Sequence, residues 1–187
     1  MRFLLLLYCV VLNLVLVAQG MKASFSSSLN RVCVGNQVSF TNSSSAGNSP
    51  IVSSTWDFGD GQVQNSSGAS GISHAYSKPG KYNVTLVVIA ASGVTAASGQ
   101  TTFVEVFDFP KASFDIGGNF CQLPAEVIPT NTSVTASGNT YNWNFGNGVS
   151  SAEASPQKVT YTSTGTFTIS LTISNSGPGC SSTFSKK

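Results

Sequence analysis

The chain has 187 residues, carries a formal net charge of +2, and only 9% of it is charged. Globular proteins average about 25% charged residues, so Ser, Thr, Asn and Gly must cover much of this surface. The few Lys and Arg are scattered, with no basic stripe and no interleaved aromatics, which argues against a nucleic-acid partner.

The N-terminus opens with Met1-Arg2 and continues as an apolar run from Phe3 to Val17, broken only by Tyr8, Cys9 and Asn13. Ala18-Gln19-Gly20 then offers small residues where a signal peptidase reads. This predicts a signal peptide over 1–20 and a secreted or cell-surface protein. A spanning helix needs about 20 apolar residues. This run is shorter and no second one follows, so no transmembrane segment is expected after cleavage. Cys9 lies early, behind the bulky Tyr8, which argues against a lipoprotein.

Beyond Gly20 the patterning is β. Strands are predicted at Gln37–Thr41 and Ser53–Phe58. Tyr82, Val84, Leu86 and Val88 then alternate with Asn83, Thr85 and Val87, a period of two that buries one face. Gln100–Phe107, Ala125–Pro129 and Thr140–Phe145 follow. Phe167, Ile169, Leu171 and Ile173 alternate with Thr168, Ser170 and Thr172, and "SSTFSKK" reads as a last strand. No stretch shows a 3.6-residue amphipathic period. Short strands separated by Gly, Ser, Asn and Pro clusters predict β-sandwiches.

The chain repeats itself. "KASF" at Lys22 returns at Lys111, "VSFTNSS" from Val38 aligns with "VIPTNTS" from Val127, and "HAYSKPGKYNVTLVV" from His74 aligns with "VTYTSTGTFTISLTI" from Val159. Two homologous domains are predicted, 21–108 and 109–187, joined near Phe107-Asp108-Phe109-Pro110. The clearest echo is "WDFGDG" from Trp56 against "WNFGNG" from Trp143. Trp56 and Trp143, the only tryptophans, are expected to plug the space between the sheets. Gly59, Gly61, Gly146 and Gly148 are expected to supply the positive φ of a turn. Asp-Gly and Asn-Gly are both strong hairpin signals. The second copy keeps an acceptor oxygen at Asn144 and Asn147 but drops the charge of Asp57 and Asp60. That substitution fits turn-building and disfavours acid–base catalysis, which asparagine cannot perform.

"WDFGDG" followed by "HAYSKPGKYNVTLVV" closely resembles the polycystic kidney disease (PKD) domain, and "WNFGNG…VTYTSTGTFTISLTI" resembles a diverged member of that family. The resemblance covers the chain from about Ala23 to its end. It implies two tandem immunoglobulin-like sandwiches that supply spacing, adhesion or substrate contact in extracellular proteins, with an extracellular protein or polysaccharide as partner. Val159 stands where His74 would be, so any role for that histidine is in doubt in the second copy.

After export Cys33, Cys121 and Cys180 remain, enough for one intramolecular disulfide, and no CxxC or Cys/His cluster points to zinc. In a sandwich the regions of Cys121 and Cys180 could lie close together, so a Cys121–Cys180 disulfide is expected, worth about 2–4 kcal/mol. Cys33 is then expected to be unpaired and buried, with a pair between the two copies as the alternative.

A Ser-His-Asp arrangement could use only His74, the single histidine, which the resemblance places structurally before a hairpin. Asp57 and Asp60 belong to one turn and would lie side by side rather than across a cleft. They are weak candidates for a calcium site, since "KASFSSSLN" adds no acid. No catalytic residue and no cofactor is expected. Sequons stand at Asn42, Asn65, Asn83 and Asn131. Tyr76 and Tyr161 are expected to close the sandwiches, and Phe103, Phe107 and Phe109 to flank the junction. The reading is a non-catalytic secreted or cell-surface protein. The alternative is the N-terminal accessory region of a larger secreted protease or glycoside hydrolase, since the last strand stops without a linker.

Overall fold

The computed structural model describes residues 20–98, 102–134 and 138–187. All of the predicted signal peptide except Gly20, and the first two residues of the strand predicted at Gln100–Phe107, lie outside the described residues. Among the described residues, no helix is long and apolar enough to cross a membrane.

The fold is all-β. The chain condenses into two compact units. One gathers the chain up to Asn30 with Gln37–Tyr76 and Lys81–Glu105; the other gathers Arg31–Asn36, Ser77–Gly80 and Val106–Lys187.

In the first unit, β1 (Phe25–Ser27), β3 (Gln37–Asn42) and β6 (Ile72–Ala75) form a three-stranded sheet in the order β1-β3-β6. Facing it are β4 (Ile51–Asp57), β5 (Val63–Ser67), β7 (Gly80–Ala90) and β9 (Thr102–Phe107), ordered β9-β7-β4-β5, with β8 (Thr95–Ala97) pairing β7. Strand β7 realises the period-two pattern: Val84, Leu86, Val88 and Ala90 are buried, while Asn83, Val87 and Ile89 face out. Phe25 and Phe40 from one sheet meet Trp56 of the other at ring separations of 5.4 and 6.0 Å. That inter-sheet aromatic cluster makes the unit a sandwich.

The second unit repeats the plan. A three-stranded sheet runs β10 (Phe114–Asn119), β11 (Ala125–Asn131), β14 (Val159–Tyr161). Its partner runs β13 (Ser150–Ser151), β12 (Thr140–Asn144), β15 (Ile169–Ser174), β16 (Ser181–Lys186). Phe114 crosses to Trp143 at 5.1 Å, and Ile169, Leu171 and Ile173 line the same core.

This unit also contains β2 (Arg31–Cys33), where Val34 N donates to Phe107 O at 2.9 Å. That placement corrects the cysteine assignment. The disulfide joins Cys33 to Cys180, with a Cα separation of 5.6 Å, in place of the expected Cys121–Cys180 pair, and Cys33 is buried but bonded. A disulfide requires two Cβ atoms at bonding range, and the grouping of Arg31–Asn36 with the second unit supplies that range to Cys33. Peptide mapping under non-reducing conditions is expected to recover a Cys33–Cys180 cross-link that reduction splits. A Cys121–Cys180 peptide in its place would contradict this.

Candidate functional site

The twin phrases sit at the ends of β4 and β12. Each strand ends because the next residues reverse the chain with glycines at positive φ: 77° at Gly59 and 87° at Gly61, against 74° at Gly146 and 87° at Gly148. Phe58 N donates to Gln62 O at 3.2 Å, and Phe145 N to Val149 O at 3.1 Å. Two side-chain acceptors hold the bend. Asp57 Oδ1 accepts Gly59 N at 2.9 Å, and Asp60 Oδ1 accepts Gln62 N at 3.0 Å. In the second copy Asn144 Oδ1 accepts Gly146 N at 2.8 Å, and Asn147 Oδ1 accepts Val149 N at 3.1 Å. Carboxylate and amide oxygens do the same work here, as a neutral acceptor can.

The difference between the copies lies on the other atom of each side chain. Asp60 Oδ2 is an acceptor only, and it meets His74 Nε2 at 2.8 Å. His74 is buried, stacked on Phe58 at 4.0 Å and edge-on to Tyr76 at 4.7 Å. Asn147 instead presents Nδ2, a donor, and it finds the Thr160 carbonyl at 3.3 Å. The histidine position is Val159, buried and apolar, which needs no partner. Acid with histidine, and amide with carbonyl, are two self-consistent ways to satisfy one corner.

Asn147→Asp is therefore expected to destabilise the second unit by about 0.5–1.5 kcal/mol, because it points an acceptor at the Thr160 carbonyl. Adding Val159→His to that variant should recover part of the loss. Equilibrium urea unfolding of the two singles and the double forms a double-mutant cycle that reads the coupling.

The acids of this turn are engaged within the fold. Both oxygens of Asp60 are engaged by protein donors, and Asp57 holds the turn. Among the described residues, no three His, Cys, Asp or Glu side chains cluster as a metal would require. His74 reaches one carboxylate but is walled by aromatic rings rather than opened to a cleft.

Both tryptophans are fully buried. Their indole N–H groups are satisfied, Trp56 Nε1 by Ser66 Oγ at 3.2 Å and Trp143 Nε1 by Glu153 O at 3.0 Å.

Comparison with known proteins follows this duplication. A PKD domain model matches residues 23–106, and a second PKD domain model matches 119–184. The chain belongs to the PKD domain family. It carries two PKD domains in tandem. A microbial collagenase from Vibrio alginolyticus is 31% identical over 90 residues, which are 48% of this chain and 11% of that protein. Among solved structures, the PKD1 domain of Vibrio anguillarum Epp is 34% identical, with a TM-score of 0.40, over 48% of this chain and 98% of its own. The PKD1 domain of the Vibrio cholerae metalloprotease PrtV is 32% identical, with a TM-score of 0.39, over 46% of this chain and 98% of its own. The chain thus spans about a tenth of this curated relative's length.

Each PKD domain closes its turn with a tyrosine. Tyr76 Oη donates to Phe58 O at 3.3 Å and Tyr161 Oη to Phe145 O at 2.7 Å, both from buried rings. Burial pushes the Tyr76 pKa well above the usual phenol range, helped by the Asp60 carboxylate and by Tyr82; burial raises Tyr161 too. The folded state thus keeps protons that the unfolded chain releases near pH ~10. Stability from these phenols is complete below that pH and falls as pH climbs toward the raised folded values, at about 1.4 kcal/mol per pH unit for each. Alkaline titration followed by phenolate absorbance is expected to show ionisation of both rings coinciding with loss of tertiary circular dichroism. Ionisation while the fold persists, at the ordinary phenol pKa, would contradict it.

The remaining sequence candidates are dispersed. Asn42 and Asn131 use their sequon nitrogens internally, donating to Ser54 Oγ at 3.0 Å and Ala154 O at 2.8 Å. Asn65 accepts from Thr55 on an exposed strand, and Asn83 is exposed. Phe103 and Phe109 are exposed, Phe103 beneath the Lys81 ammonium at 5.8 Å; Arg31 covers Phe107 at 4.7 Å. Cys121 is exposed and lines a groove of about 460 Å³ in the second PKD domain with Phe120, Leu123, Tyr161 and Phe167.

Proposed function

We propose that the chain is a non-catalytic part of a secreted or cell-surface protein, whose two PKD domains set spacing and make contact with a protein or polysaccharide. The observation that carries this is the paired turn. Asp57 and Asp60 are occupied as hydrogen-bond acceptors, and the second copy repeats the geometry with two asparagines. A residue whose task an amide performs equally is no general acid or base.

A second reading makes the chain an accessory region of a larger secreted hydrolase. The 31% identity to part of a microbial collagenase favours it, and the match involves only 11% of that enzyme. Both readings assign this chain binding rather than turnover. Purified chain is expected to leave casein, gelatin and polysaccharides uncut. Turnover that disappears in Asp57→Asn/Asp60→Asn would overturn the proposal. The gene downstream separates the two readings: a catalytic domain supports the second, an anchoring or sorting domain the first.

A further inference from the structure

Tension on a protein runs along its covalent chain, so the place of the Cys33–Cys180 bond in the strand order decides which elements feel a pull. The two cysteines are 147 residues apart in sequence. The loop that they close contains every strand from β3 to β15, and with them Trp56 and Trp143. Of the described strands, only β1, β2 and β16 lie outside it. A force that enters before Met21 and leaves after Lys187 therefore has a short covalent route. It runs from Met21 to Cys33, across the two sulfurs, and from Cys180 to Lys187.

The arm after Cys180 is already taut. Strand β16 begins at the next residue, and its six residues span about 3.4 Å each against a chain limit of about 3.6 Å. A pull on Lys187 thus draws along the strand axis, and stripping β16 from its six partners on β15 adds almost no length. The arm before Cys33 gives more, because β1 holds β3 by only three residue pairs. Both ends of the bond are anchored. Asn175 N donates to Cys180 O at 3.0 Å, Cys180 N donates to Asn175 Oδ1 at 3.2 Å, and Asn36 N donates to Cys33 O at 3.0 Å. Both cysteines are buried, and thiol–disulfide exchange requires access to a sulfur.

We propose that the Cys33–Cys180 bond is a load-bearing tether that fixes the reach of this chain under tension, and that reduction by a dithiol is the event that lets it lengthen. The proposal rests on the spacing role above and names its regulation. The reduction is a two-electron exchange. The two thiols of the reductant join as a disulfide, and their two electrons and two protons pass to the sulfurs of Cys33 and Cys180. With the bond intact, the two arms reach at most about 75 Å when fully drawn out. Without it, the same pull runs in series through β3 to β15 and gains up to about 530 Å, from 147 residues at about 3.6 Å each.

The test is single-molecule extension of the chain, held by peptide tags before Met21 and after Lys187, first without reductant and then with dithiothreitol. The oxidised chain is expected to show no step longer than about 75 Å, and the reduced chain long steps that together approach about 500 Å. Cys33→Ala/Cys180→Ala should match the reduced chain with no reductant present. Adding dithiothreitol to a molecule already under tension gives the same reading without depending on the folding of that variant. Trp143→Ala distinguishes a tether from a fold that merely resists force. It should leave the oxidised limit in place and weaken one long step of the reduced chain, because tension crosses the second core only when the bond is open. Oxidised steps well beyond about 75 Å, an oxidised limit that Trp143→Ala lifts, or equal extension before and after reduction would overturn the tether and leave the spacing role standing. Turnover of a substrate by a chain that keeps its oxidised limit would do the reverse.

Discussion

Trp56→Ala and Trp143→Ala are each expected to remove about 3–5 kcal/mol, the cost of deleting a large buried aromatic and leaving its cavity. A small domain holds only about 5–15 kcal/mol in total, so either change takes most of one domain's stability. The rings explain the size. Trp56 is held edge-on by Phe25 and tilted against Phe40; Trp143 stacks on Phe145 at 6.0 Å and meets Phe114 edge-on. Each cluster joins the two sheets of its own sandwich, so the cavity opens where the sheets meet. The chain contains only two tryptophans, and each single variant therefore carries a fluorescent reporter for the other domain alone. In Trp56→Ala, far-ultraviolet circular dichroism should show an early loss on heating. A loss below about 1 kcal/mol would contradict the plug role.

The fold was readable where the chain obeys a period of two over a long stretch. Strand β7 and strand β15 alternate cleanly because one face is core and the other solvent. Several short strands elsewhere were not predicted. Strand β5 reads Val-Gln-Asn-Ser-Ser with almost no buried side chain, and it is a strand only because β4 offers it a hydrogen-bonding edge. The same holds for β6 and β14, three or four residues long and paired by β3 and β11. Pairing of this kind lies in the neighbour rather than in the segment.

The turn was legible from Gly and Asx chemistry; its histidine partner was not. Yet the signal was present: Asp60 with His74 in one copy becomes Asn147 with Val159 in the other, a joint change that marks contact. The cysteine pairing failed for a different reason. Comparing the repeats one at a time assumes that each closes on itself, whereas Arg31–Asn36 groups with the second unit and brings Cys33 to Cys180. Sequence position carries no Cβ geometry.

Gly59→Ala is the other large expected effect, and its comparison with Gly61→Ala separates two reasons for glycine within one phrase. Both residues have positive φ, which costs an alanine about 1–2 kcal/mol. At Gly61 that is the whole cost, because a Cβ there would meet open space. At Gly59 the added Cβ would lie 2.4 Å from the Asn83 carbonyl oxygen and 2.9 Å from its nitrogen. These are backbone atoms of β7, the longest strand, flanked by buried Val84, and they cannot turn aside as a side-chain tip would. Either the turn or the strand must move, and both are pinned: the turn by Asp57 Oδ1 on the very N–H of Gly59, the strand by its pairing with β4. Gly59→Ala is thus expected to cost roughly 4 kcal/mol or more, at the extreme of single substitutions, against about 1–2 kcal/mol for Gly61→Ala. The second domain supplies the replicate, since a Cβ on Gly146 would lie 2.7 Å from the Thr168 carbonyl oxygen and one on Gly148 would meet nothing. Denaturant midpoints for the four alanine variants should fall into two pairs, 59 with 146 and 61 with 148. Four equal losses would mean that φ alone sets the requirement and that the close approach of turn to strand is not what holds the phrase constant.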